Sequence, residues 1–160
     1  MNTAILCVGK LRERFYRDAA DEYLKRLRRF GLYQEIETPD LPEPVNASPA
    51  QEAEVLRKEG ERLLDVLRPG DYVVALCVDG GRCSSEDLAE RVAAWRAQGG
   101  VKRLVWIVGG SLGLSGAVVR RADERLSLSA MTLPHQLARV VLLEQLYRAC
   151  KILANERYHK

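Results

Sequence analysis

Apolar residues along this chain fall into short unbroken runs separated by amphipathic stretches, and that alternation sets the expected elements. Thr3–Val8 is apolar throughout and ends at Gly9. Asp71–Val78, containing YVVALCV, and Arg103–Val108 are apolar in the same way. Runs with no polar face belong to strands covered on both sides, as in a parallel sheet. Tyr33–Thr38 differs: Gln34, Glu35 and Glu37 interrupt it, which predicts an edge strand. Between the strands lie helical patterns. Arg14–Phe30 places Phe15, Ala19, Tyr23 and Leu27 four apart, with Ala20 and Leu24 widening the stripe, and Gly31 closes it. Pro39–Pro49 holds four prolines and reads as a loop. Ala50–Leu67 is a charged amphipathic helix stopped by Pro69-Gly70. Asp79-Gly80-Gly81 is expected to turn the chain. Ser84 with Asp87 three residues on resembles a capping box opening a helix to about Gln98, before Gly99-Gly100.

The last third is different in kind. The strand ending at Val108 opens into Gly109-Gly110-Ser111-Leu112-Gly113. An apolar run with small hydroxyl residues, Leu126–Leu133, stops at Pro134, which suits a helix's first turn. From Pro134 to about Ala154 the chain reads as one long helix, apolar around most of its circumference. Such a helix is buried on several sides or covered by a second subunit. A chain this short has little material to wrap it, so an interface is expected. The tail Arg157-Tyr158-His159-Lys160 is polar, aromatic and basic.

Strands alternating with helices at this spacing predict an α/β fold, with about five mostly parallel strands joined by right-handed crossovers. Ligands in such sheets bind at the carboxyl ends of strands. Three such ends carry unusual residues: Leu76–Gly81, Gly109–Gly113 and Leu128–Leu133.

Composition narrows the picture. At 160 residues, one domain is expected over 1–160. The net charge of +3 and pI near 8.7 permit an RNA partner without requiring one. Cys7, Cys77, Cys83 and Cys150 form no CxxC pair, and with two histidines far apart in sequence no metal site is expected. Free thiols point to a reducing cytoplasm. Glu144, Arg148 and Lys151 interrupt the longest apolar stretch, so no membrane span is expected. The first helix carries Arg14, Arg17, Lys25, Arg28 and Arg29 opposite its apolar stripe. That face reads first as a solvated surface and only second as a phosphate contact.

The glycine turn is neither a P-loop nor a dinucleotide fingerprint, since no Gly-Lys-Ser/Thr follows and the GxGxxG spacing is absent. It is either an ordinary strand-to-helix turn or backbone that must approach a flat ligand. LSLSAMTLPH taken alone reads first as a core strand followed by a helix N-terminus; as a site, its apolar side chains and amides, with almost no charge, suit a neutral adenine better than a phosphate. His135 reads as a local structural or capping residue. Glu144 and Arg148 stand four apart on the last helix as an ion pair.

GGSLGLS, LSLSAMTLPHQLARVVLLEQLYRACKIL and the closing YHK resemble the bacterial ribosomal RNA large subunit methyltransferase H family of the SPOUT superfamily. The resemblance extends over the whole chain, through VGK, DEYLKRL and EGERLL. It implies an enzyme that transfers a methyl group from S-adenosyl-L-methionine to N3 of a pseudouridine in 23S rRNA of the assembled ribosome. It implies no DNA partner, and a homodimer whose C-terminal part threads a trefoil knot. It places the cofactor against Leu76, Gly109, Leu128, Ser129, Ala130, Met131, Thr132 and Leu133. Many relatives carry an acid after the strand leucine, where this chain has Cys77. Tyr158 and His159 of one subunit's tail are then expected beside the other's cofactor, with His159 accepting the N3 proton and Arg148 stabilising the resulting anion. The alternatives are methylation at another RNA position, or a ribosome-associated nucleotide-binding module without activity.

Overall fold

The structure, a computed structural model, describes residues 2–158. Five strands, β1 (Asn2–Val8), β2 (Tyr33–Thr38), β3 (Asp71–Gly81), β4 (Arg103–Val108) and β5 (Glu124–Leu126), form one sheet in the order β2-β1-β4-β3-β5. Every pairing is parallel. Helices α1 (Arg14–Leu27) and α3 (Ser85–Ala97) both pack against α5 (His135–Leu153), while α2 (Pro49–Val66) packs against α4 (Gly116–Arg121).

The two-faced burial read from the apolar runs is observed. Ile5, Cys7, Leu104, Trp106 and Val108 join the core beneath α1, α3 and α5. Their neighbours Ala4, Leu6, Val8, Val105 and Ile107 join a second core with Leu63 of α2 and Val118 of α4. Strand side chains alternate between faces, so each run supplies both layers. Local signals hold too. Ser84 and Asp87 cap α3 reciprocally, and Ser48 with Gln51 caps α2 in the same way, with Pro49 in its first turn.

Several expectations are corrected. Phe15 lies 62% exposed, because the buried side of α1 runs through Tyr16, Ala20, Tyr23, Leu24 and Leu27. Asp79-Gly80-Gly81 does not turn the chain; β3 continues through it with a register shift between Leu76 and Gly81 opposite Leu126. A Cβ on Gly80 would lie 2.6 Å from the Leu126 carbonyl carbon, so only glycine lets β5 approach there. The fifth strand is three residues long and ends at Leu126, leaving the rest of the apolar run as loop. The short helix α4 had no clear periodic signal. The chain also covers α5 better than its length suggested: Leu142, Leu143, Leu146 and Cys150 are buried by α1, α3 and the sheet.

The edge position of β2 is as expected, but not the reason for its acids. Glu35 and Glu37 share one face of the strand and point onto the helices rather than into water. Arg17 donates to Glu35 at 2.6 Å and to Glu37 at 2.5 Å. Arg139, only 1% exposed, donates to the same carboxylates at 3.1 and 2.8 Å. Arg17 is therefore half-buried in an ion network and is not part of a free basic face. Among the described residues no helix is long and apolar enough to cross a membrane.

Burial pushes the Glu37 carboxyl up, but hydrogen bonds from Arg17 and Arg139 outweigh it and hold it below its ordinary value of 4.5. A depressed carboxylate stabilises the fold above its unfolded pKa, and this is lost as pH falls through the folded value. Urea midpoints should fall on acidification below about pH 4.5. Arg139→Met removes one of the two cations that hold Glu35 and Glu37 and should cost about 1–3 kcal/mol at neutral pH; a midpoint within experimental error of the parent's would contradict this.

Candidate active site

The carboxyl ends of β3 and β4, the loop after β5 and the first turn of α5 converge on one cleft of about 600 Å³ including its open mouth. Leu76 comes from β3, Gly109 from the turn after β4, and Leu128, Ser129, Met131, Thr132 and Leu133 from the loop before α5. Seven of the eight residues expected to meet a cofactor thus share this cleft. Ala130 sits in the same loop but does not line the cleft.

Register explains the convergence. Cys7 pairs with Val108, Ala75 with Ile107 and Leu76 with Leu126, so the central strands end at one level. There the glycine turn folds back on itself, with a bridge between Gly110 and Gly113 and a positive φ of 85° at Gly113. A Cβ on Gly109 would lie 2.4 Å from the Gly113 carbonyl oxygen, so the turn closes only over bare backbone. The loop after β5 is tied internally: Ser127 Oγ donates to the Ser129 carbonyl at 2.9 Å, and Met131 N donates to Ser129 Oγ at 2.9 Å.

Among the described residues the lining carries no Asp, Glu, Lys or Arg. Its one titratable ring is His135, in the first turn of α5. Pro134 is the N-cap there, so His135 does not cap the helix; it borders the cleft. Burial, with the field of Arg139, holds the His135 pKa below its ordinary 6.5. Cys77 also lines the cleft, and burial pushes its thiol up. Neutral walls favour a ligand bound through shape and backbone amides over one bound through a net charge. Asp79, behind the cleft, is exposed and pairs with Arg125 at 3.5 Å.

Arg148 and Tyr158 lie elsewhere. Arg148 donates to Glu144 at 2.6 Å, and Tyr158 donates to the same carboxylate at 3.1 Å. The guanidinium lies 4.7 Å from the centre of the Tyr158 ring, which packs edge-on against Tyr147. Burial and the hydroxyl–carboxylate contact push the Tyr158 pKa up. Arg148 follows the cleft-lining Ala138 by ten residues on α5, about 15 Å of helix. One chain therefore does not bring its own Arg148 and Tyr158 to its own cleft. His159 lies outside the described residues.

Arg139 is the residue that sequence reasoning missed. Its Nη2 donates to the carbonyls of Gly9 at 2.8 Å and Val8 at 3.4 Å, beside the carboxylates already described. Its spacing to Leu142, Leu143, Leu146 and Cys150 put it in the buried phase of α5, and a lone cation in that phase was the available signal.

The chain carrying this sheet and cleft matches known proteins along its length. Residues 1–159 fit the family described as "Predicted SPOUT methyltransferase". The chain belongs to the SPOUT methyltransferase family. It is similar to proteins named Ribosomal RNA large subunit methyltransferase H: 54% identical to that of Bifidobacterium animalis subsp. lactis (strain AD011), over 100% of both chains. The protein of the same name from Alkaliphilus oremlandii (strain OhILAs) is 46% identical, again over 100% of both. Among solved structures, a probable methyltransferase from Bordetella pertussis Tohama I superposes with a TM-score of 0.57 at 13% identity, covering 93% of this chain and 94% of that one. A probable methylase family protein from Haemophilus influenzae Rd KW20 gives 0.57 at 15% identity, covering 99% and 70%. These two likenesses show the fold alone.

Gly109→Ala must displace the Gly113 carbonyl, and should lower stability by about 1–3 kcal/mol in urea unfolding. An unchanged midpoint would mean the turn yields freely. His135 should titrate below 6.5 when its ring protons are followed by NMR against pH; a value above 6.5 would contradict its burial beside Arg139.

Proposed function

We propose that residues 1–160 form a single domain that methylates N3 of a pseudouridine in 23S rRNA of the assembled ribosome, in the cytoplasm, using S-adenosyl-L-methionine. The observation that carries this reading is 54% identity, over the full length of both chains, to a relative named Ribosomal RNA large subunit methyltransferase H. The cleft fits the donor. A flat base needs bare backbone on one side, which Gly109 and Gly110 offer, and apolar walls on the other, which Leu76, Leu128 and Leu133 offer. Ser129, Met131 and Thr132 complete the wall, with Ala130 beside them in the loop. Bound there, the donor supplies an electrophilic methyl group on a sulfonium sulfur.

The chain's own residues then align and protect. The cleft walls fix the donor's orientation, and alignment of nucleophile, carbon and leaving group supplies much of the rate. N3 of the acceptor must lose a proton. His159 has the right reference pKa, near 6.5, to take it, with Tyr158 beside it. Arg148 stabilises the charge developing on the ring or holds a phosphate. About 15 Å of α5 separates Arg148 from Ala138 of the same chain. These three groups therefore serve the cleft of a second copy, and the enzyme is a homodimer. Leu137, Val141 and Ile152 are only half-buried along α5, and Leu153 is exposed, which supports an apolar contact there. We also read the C-terminal part as a trefoil knot. That reading rests on membership of the SPOUT methyltransferase family.

Ribosomes from a strain lacking this activity should gain one N3-methylpseudouridine in 23S rRNA when incubated with the enzyme and donor, read by mass spectrometry. Removing Tyr158 to Lys160 should abolish turnover with donor affinity kept. Mixing that truncated chain with Gly109→Ala should restore part of the activity, because each mixed dimer keeps one intact composite site. A ribose methyl instead would redirect the reading to another RNA position. Absence of donor binding in calorimetry would remove the enzymatic reading altogether.

A further inference from the structure

We infer that Arg139 is a positioning residue for the cleft, holding the first turn of α5 at a fixed separation from the glycine turn after β4. The inference rests on the reading of the cleft as an adenosyl-ligand site. The first turn of α5 forms one wall through His135 and Ala138, yet has little else to hold it. Pro134 gives it no side-chain cap, and no acidic residue stands in its first turn. The loop that precedes it bonds mainly to itself, through Ser127 and Ser129. Two ties reach from the start of α5, one to the loop after β1 and one to the end of β1 itself. Gln136 Oε1 accepts from Arg12 N at 3.0 Å, and the buried Arg139 guanidinium donates to the carbonyls of Val8 and Gly9.

The opposite wall refers to the same point. Gly110 packs on Val8 so closely that a Cβ there would lie 3.2 Å from Val8 Cγ1. The end of β1 is thus a shared datum, with the glycine turn resting on its side chain and α5 bonded to its carbonyls. Glu35 and Glu37 anchor the far side of the guanidinium, so its planar fork bridges β2 and β1 at once. A lysine there keeps the charge but cannot span both sets of acceptors.

Arg17 provides an internal control. It pairs with the same two carboxylates from α1, but has no bond to the carbonyls of β1 and does not line the cleft. Binding of S-adenosylhomocysteine would be measured by calorimetry for the full-length protein, Arg139→Lys and Arg17→Lys, alongside urea midpoints for each. Both variants should lose stability. Arg139→Lys should lose about tenfold or more in affinity, as expected from a wall displaced by an ångström or less; Arg17→Lys should stay within about twofold to threefold of the parent. Should Arg139→Lys not fold, Arg139→Gln, which keeps an amide donor for the two carbonyls, is compared with Arg17→Gln in the same way. Equal affinity losses in the paired variants, or no loss in either, would overturn the inference and leave Arg139 a structural residue. If the parent protein does not bind S-adenosylhomocysteine, the reading of the cleft itself falls.

Discussion

Four charges at the edge of the sheet, Arg17, Arg139, Glu35 and Glu37, fix how two helices lie against it. They connect α1, α5 and β2, and through the carbonyls of Val8 and Gly9 they reach β1. Burying charge is costly unless partners are complete, and a hydrophobic cluster of equal volume is often as stable. What the ion network adds is direction. Apolar packing tolerates small slides, whereas two forked cations meeting two carboxylates and two carbonyls accept one arrangement. The network sits at the carboxyl edge of the sheet, where the chain gathers its glycine turn and its cleft.

The cleft has the opposite character. Among the described residues its walls are leucines, small residues and backbone, and burial with the nearby Arg139 lowers the pKa of the His135 ring. Charged groups crowd just outside it, in the ion network and in the Asp79–Arg125 pair, but none lines it. Selectivity then rests on shape, and shape rests on positions where no Cβ fits. The separation of Arg148 from the cleft follows from the length of α5, which carries Ala138 in its first turns and Arg148 ten residues on.

Much of this was legible in the order of residues. Two-faced strands, the edge position of β2, the capping box at Ser84 and the long last helix followed from periodicity and stereochemistry, which are local properties. So did the strand ends that gather into the cleft, since a parallel sheet must bring alternate carboxyl ends to one rim. Tertiary structure decided which polar residues turn inward. Glu35 and Glu37 read as solvent-facing acids because alternation gives parity but not which parity is covered; only the placement of α1 and α5 over that face fixed it. Phe15 read as core and Arg17 as surface because their helix's phase is set by what packs against it. Gly80 read as a turn, although it serves close contact with β5, a segment more than forty residues away that the local sequence does not name.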